Sequence, residues 1–220
     1  MISGILILLL LTSCKEEEQI SIASFSVKNK QILSSELAKK MPVKNLNDGE
    51  FSFSEVLIGL SDISLESGIE ENNSYEIKFS DTYVFDVLNG MSDPDLVPVA
   101  VEAGRYHQLK VSLDNTLDSE KSLSIKGSWL TDNLEYDFEF SSDLVTELSL
   151  ENELGIEIGF DERVNFVLVL PLEELFRDVD FSKLDFDNDK VIRINKWSNR
   201  DLKAVLEHKL LEIVRFGKDD

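Results

Sequence analysis

The chain has 220 residues, of which 22 are Lys or Arg and 43 are Asp or Glu, giving a net charge of −21. Such a surface repels nucleic-acid phosphates and anionic lipid headgroups, which excludes both as partners, and it favours solubility and divalent cations. An apolar fraction of 42% permits a real core, and about 207 residues remain after the first 13, enough for one generous β domain or two small ones.

At the N-terminus, Ile5 to Leu11 is continuously apolar and Glu16 to Glu18 follow almost at once. A helix needs about 20 apolar residues to cross a bilayer, and this run is far shorter. A short apolar stretch followed by small residues is the signature of a signal peptide. Leu11-Thr12-Ser13-Cys14 resembles the lipobox of bacterial lipoproteins at every position. The small Thr12 and Ser13 let a peptidase reach the backbone, and the Cys14 thiol is the nucleophile that takes the lipid. The one departure is Met1-Ile2-Ser3-Gly4, which carries no Lys or Arg. The resemblance implies a signal peptide over 1–13, an acylated Cys14 with a tether over 14–50, and attachment to the outer membrane or cell surface. Two or three acyl chains make such attachment lasting. Cys14 is the only Cys, so acylation leaves no thiol for a disulfide or a thiolate metal site. Lys15-Glu16-Glu17-Glu18 resembles the surface-export signal on lipoproteins of Bacteroidota, and reads equally as a solvated acidic linker.

Ile20 to Val27 alternates loosely and fits either a first strand or part of the tether. Gln31 to Met41 fits one short helix stopped by Pro42. From Phe51 the pattern becomes regular. Apolar residues fall at 56, 58 and 60 and then shift phase to Ile63 and Leu65, which predicts a long edge-type strand with a bulge near Ser61-Asp62. Gly68 to Ser74 reads as a loop. Tyr75, Ile77 and Phe79 alternate, Tyr83 to Leu88 runs into the turn dipeptide Asn89-Gly90, and Val97 to Val101 leads to Ala103-Gly104. Tyr106 to Leu113 follows with His107, Leu109, Val111 and Leu113 on one face. Short alternating segments continue at Leu123 to Ile125, Leu134 to Phe140, Leu144 to Leu150, Ile156 to Ile158 and Val164 to Leu170. Many short strands at this spacing point to a mainly β chain, an antiparallel Greek-key-like sandwich over 51–170.

Residues 171–220 read as a small α/β appendage. Pro171 to Phe176 suggests one helical turn, and Val191 to Ile194 a short strand. Ser198 with Asp201 resembles a capping signal. Leu202, Val205, Leu206, Leu210, Ile213 and Val214 form one helix face, closed by Gly217.

Three stretches together, Val56-x-Ile-x-Leu-x-x-Ile63-x-Leu65, Phe85-Asp86-Val-Leu88-Asn-Gly90 and Ala103-Gly104-Arg-Tyr106, resemble a domain of unknown function common in Bacteroidota lipoproteins. The resemblance covers residues 50–170 and implies a β-rich sandwich. It carries over no catalytic residue. Gly104 is expected to supply a turn conformation that other residues resist, with Tyr106 seeding the next strand. A copper-associated periplasmic domain has a similar Ala-Gly-x-Tyr step, but two His and three Met argue against copper.

The candidate metal site is Asp185-Phe-Asp187-Asn-Asp189-Lys-Val-Ile192. Aspartates at alternate positions match the first ligands of a Ca²⁺ loop, and Ile192 matches its apolar pin. Lys190 stands where Gly would allow the sharp turn, and Lys196 where a bidentate Glu belongs. The bland reading is a solvated acidic loop. For hydrolysis there is no G-x-S-x-G elbow. His107 reads as a strand residue facing partly inward and His208 as an exposed helix residue, too few for zinc without several carboxylates. A glycosidase carboxylate pair leaves no trace among 43 acids. Trp129, Trp197, Tyr75, Tyr83, Tyr106 and Tyr136 either fill a β core or form a sugar-stacking platform, with Trp129 the first to inspect. The expected function is a non-enzymatic binding or assembly module at the envelope, with a membrane contact through its lipid and an envelope protein or glycan as partner. A carboxylate-pair glycan hydrolase and a calcium-stabilised structural lipoprotein are the alternatives.

Overall fold

The computed structural model describes residues 20–29, 50–67, 75–131, 134–185, 187 and 189–219. The lipobox with Cys14, the 15–18 run, the helix expected over 31–41 and the loop at 68–74 lie outside these residues.

The larger sheet is built on β2 (Glu50–Ser67), a strand of 18 residues. One of its edges pairs with β8 (Leu123–Thr131) over residues 50–58 and with β7 (Gly104–Leu113) over 60–67. The other edge takes β4 (Tyr83–Asp86) over 57–60 and β3 (Glu76–Phe79) over 63–66. β2 is therefore central and not the edge-type strand its alternation suggested, because paired neighbours line both of its sides. The phase slip is where it was expected. Register breaks between Ser61 and Ser64, Asp62 takes φ +50°, and Leu60 and Ile63 both stay on the core face.

The edge passes from β8 to β7 at Gly59. Its amide donates to the Ser122 carbonyl and its carbonyl accepts from the Asp114 amide. A Cβ there would stand 2.3 Å from Thr116 Oγ1 and 2.5 Å from the Asp114 carbonyl, so the close approach requires glycine. β9 (Leu134–Ser142) extends the β8 side and β10 (Thr146–Ile158) the β7 side, while β5 (Met91–Asp93) flanks β4.

The smaller sheet has β1 (Ser21–Asn29) between β11 (Arg163–Leu170) and β6 (Val99–Val101), with β13 (Arg215–Lys218) beyond β11. Of the two readings of Ile20 to Val27, the strand is the one adopted: Ala23, Phe25 and Val27 are buried, and β1 runs parallel to β11 from Ile22 opposite Arg163 to Asn29 opposite Leu170. The chain is mainly β, two sheets with a small helical appendage. Among the described residues most pairings are antiparallel, and two are parallel, β1 with β11 and β9 with β12 (Ile192–Ile194). β1 precedes residue 51 and β12 and β13 follow residue 170, so the sheets draw strands from beyond the 51–170 span.

Buried apolar residues form one continuous core with two aromatic centres. Between the sheets, Phe25 meets Phe85 edge-on at 5.7 Å and Tyr106 meets Phe166 at 6.1 Å. Under the appendage, Phe138 lies 5.1 Å from both Phe176 and Phe181, and Trp129 lies 5.3 Å from Phe181. Phe176 ends α1 (Leu172–Phe176) and Phe181 opens a 3-10 turn, so these short elements serve as lids on the β8–β9 face. Such offset and edge-on ring pairs add to the area they bury.

α2 (Arg200–Ile213) buries Leu206, Leu210 and Ile213 against this end of the fold, while Val205 is exposed. Two expected helix signals are corrected. Asn199, with φ +49°, occupies the N-cap position in place of Ser198, and Gly217 lies in β13 rather than closing the helix. Gly104 also departs from expectation. It is an extended residue at the start of β7, and a Cβ would make only ordinary contact with the Tyr75 ring. The Ala-Gly-x-Tyr step is instead organised by Tyr106, whose hydroxyl donates to the Glu102 carbonyl at 3.1 Å. That back-bond resembles the tyrosine corner of sandwich domains.

Candidate ligand-binding ledge at Trp197

Of the six aromatic residues considered for stacking, Trp129, Tyr83 and Tyr106 are core residues, and Tyr75 and Tyr136 pack partly against that core. Trp129, the first candidate from the sequence, faces inward between Tyr136 and Phe181. Trp197 alone stands in water, 76% exposed.

The turn after β12 holds Trp197 there. Asn195 Oδ1 accepts the amides of Trp197 at 2.8 Å and Ser198 at 2.9 Å, and the Asn195 amide donates to the Ser198 carbonyl at 2.9 Å. Asn199 secures the other side, its Nδ2 donating to the carbonyls of Arg193 at 2.8 Å and Asp185 at 3.2 Å. Leaving so large a ring in water forgoes roughly 3 kcal/mol of burial. Lys196, whose Nζ lies 4.7 Å from the ring centroid, returns about 0.5–1 kcal/mol at an exposed site.

Beneath the ring, a charged network joins the end of β9 to α2. Lys203 Nζ donates to Asp143 Oδ1 at 2.7 Å and Glu207 Oε1 at 2.6 Å, and Ser142 Oγ donates to the same Glu207 oxygen at 2.5 Å. Burial works against the Lys203 charge, but its hydrogen bonds to the two carboxylates prevail and hold its pKa above the ordinary value. The Lys203 hydrogen bond holds Asp143 below its usual range. A notch of about 30 Å³ opens beside Trp197, with Ser141, Lys121, Lys196 and Lys203 in its wall. That is room for one water or one hydroxyl. Three lysines against Asp143 and Glu207 leave a local excess of one positive charge on a strongly anionic chain. Sequence reasoning missed Asp143, Lys203 and Glu207, whose convergence depends on how α2 docks. The only local signal was the Asn195-Lys-Trp-Ser turn.

The acidic loop is organised by a cation of its own. Arg193 binds Asp187 Oδ2 at 2.5 Å and Asp189 at 3.0 and 2.6 Å, and its Nε lies 3.4 Å from Glu139. The Arg193 hydrogen bond lowers the Asp189 pKa to about 2. Asp185 joins the loop through its backbone, paired with the Asn199 side chain. Lys190 adopts φ +65° at the position where a calcium loop has glycine, and Ile192 is buried as a pin would be. Among the described residues no cluster of three or more His, Cys, Asp or Glu is disposed to hold a metal ion.

His107 is half-buried on β7 with Nδ1 3.3 Å from the Asn152 carbonyl, and His208 is exposed on α2 beside Glu212. A groove of about 390 Å³ lies on the outer face of the large sheet, where Glu66 and Glu76 face each other across β2 and β3. Each has its own lysine, Lys110 at 2.6 Å from Glu66 and Lys78 at 2.9 Å from Glu76.

No protein-family model matches the chain, and no curated protein or solved structure matches it.

Proposed function

We propose that the chain is a lipid-anchored envelope protein, acylated at Cys14, whose folded part is a non-enzymatic binding module with its ligand contact at Trp197. The lipobox resemblance at residues 11–14 supports the anchor. The observation that carries the binding reading is the exposed Trp197 ring on a turn fixed by Asn195, beside a hydroxyl-sized notch. A flat apolar ring next to hydrogen-bonding lysines and serines complements a sugar, which has an apolar C–H face and a polar rim. The one-charge excess of Lys121, Lys196 and Lys203 over Asp143 and Glu207 favours a glycan carrying carboxylates. The test is titration of intrinsic fluorescence with neutral and uronate-containing oligosaccharides. The reading expects saturable quenching that Trp197→Ala abolishes and Lys196→Ala weakens. Quenching that survives Trp197→Ala contradicts it.

A second reading, a glycan hydrolase, draws on Glu66 and Glu76 opposed in the groove on the outer face of the large sheet, a spacing of neighbouring strands that suits a carboxylate pair. Its test is glycan turnover that both Glu66→Gln and Glu76→Gln abolish.

A further inference from the structure

The turn between β10 and β11 lies against the residues that lead into β1. Ser21 Oγ donates to the Gly159 carbonyl at 2.7 Å, the Ile22 amide donates to the Glu162 carbonyl at 2.9 Å, and the Glu162 amide donates back to Ser21 Oγ at 3.3 Å. The turn is stiff. Asp161 takes φ +56°, and Glu162 Oε2 accepts the Gly159 amide at 2.6 Å while its Oε1 is held by Lys218 at 2.5 Å. Phe160, 76% exposed, follows Gly159 in this turn, and Ile20, 54% exposed, precedes Ser21, so both stand at one end of the fold. It is the end where Gly104 pairs with Ile158 and Tyr106 with Ser67, the last residue of β2.

Cys14 is six residues before Ile20. Fully extended, that length of chain reaches about 20 Å. A bilayer holding the acyl chains of Cys14 therefore lies within that distance of Ile20, at the end of the fold that carries Phe160. We propose that this end of the sandwich docks on the bilayer surface, with Phe160 and Ile20 set among the headgroups of the membrane that holds Cys14; this rests on the anchor reading above. Among the described residues, exposed Glu102, Glu157 and Asp161 at this end outnumber exposed Arg105 and Arg163, so the attraction is apolar, suits zwitterionic lipid and is insensitive to salt. Two apolar side chains alone give only about millimolar affinity. The tether supplies an effective concentration of the same order, so docking is populated when the chain is anchored and not when it is free.

The test uses the full chain produced in acylating bacteria and reconstituted into phosphatidylcholine–phosphatidylethanolamine vesicles, with and without lipid brominated along its acyl chains. Phe160→Trp keeps an apolar ring at the turn, and Leu134→Trp places one at the other end of β2, where Leu130 pairs with Glu50. Docking expects the added emission of Phe160→Trp to be blue-shifted and quenched several-fold by brominated lipid, unchanged by salt, and that of Leu134→Trp to be neither shifted nor quenched. If the mass shows Cys14 acylated but the two variants behave alike, docking is overturned and the anchor stands. If the mass shows Cys14 bare, the anchor reading falls and docking falls with it.

Discussion

Arg193 grips Asp189 with both terminal guanidinium nitrogens, at 3.0 and 2.6 Å, and reaches Asp187 with the first of them. The aspartates that resemble calcium ligands thus already share a cation, and a metal would have to displace it. Millimolar Ca²⁺ is accordingly expected to leave the melting temperature of the native chain unchanged. Arg193→Ala frees the carboxylates, and a Ca²⁺-dependent rise of a degree or more is expected there alone, read by thermal unfolding with and without chelator.

The same contact sets an acid response. The Arg193 hydrogen bond holds Asp189 at about 2, against about 3.9 for a free aspartate. A depressed folded-state pKa stabilises fully above the unfolded value, so this contribution is present above about pH 4 and is lost as pH falls toward 2. Arg193→Ala is expected to flatten the fall in stability across that window and leave the profile above pH 5 parallel to the native one.

Tyr106 gives the opposite limb. Burial, reinforced by the Glu102 charge, pushes its phenol up to about 12. Burial resists the phenolate, so the unfolded chain releases this proton first. The stability it confers is complete below about pH 10 and disappears as pH rises toward 12. Tyr106→Phe removes the titration and the hydrogen bond to Glu102. It is expected to cost about 1 kcal/mol at neutral pH and to lessen the alkaline decline, measured by urea unfolding at pH 7, 10 and 11.

Gly127 faces Phe138 across β8 and β9, where an added Cβ would come within 2.3 Å of the Ser52 carbonyl and 3.2 Å of two Phe138 ring carbons. The backbone oxygen cannot swing away as a side chain would. Gly127→Ala is expected to destabilise by about 1–3 kcal/mol, the range for overpacking a filled core. Gly104→Ala, which meets nothing closer than the Tyr75 ring at 3.7 Å, is expected to be nearly silent. Urea midpoints compare the two directly.

Local alternation was enough to read the strands. Phe138 and Phe140 face inward while Glu135 and Asp137 face water, and the slip at Ser61-Asp62 could be seen as a change of phase. What alternation could not say was which strands are neighbours. A period of two marks a face, whereas edge or centre depends on partners far along the chain; hence β2 passes its edge from β8 to β7 at Gly59, and β1 joins β11 some 140 residues away. Gly104 and Gly217 looked like turn residues, yet both are extended, because a glycine's freedom does not oblige it to use a left-handed conformation. At the ledge, the sequence put Trp129 ahead of Trp197 as the stacking candidate. Burial separates them, and burial follows from the Phe176 and Phe181 lids that the sequence did not tie to that face.

The account depends most on the fate of Cys14. Mass spectrometry of the full chain purified from bacterial envelopes reads it in one step. The account predicts a product that begins at Cys14, with residues 1–13 removed and the mass of two or three acyl chains added to the first residue. A product that retains Met1, or that carries an unmodified Cys14, would contradict it.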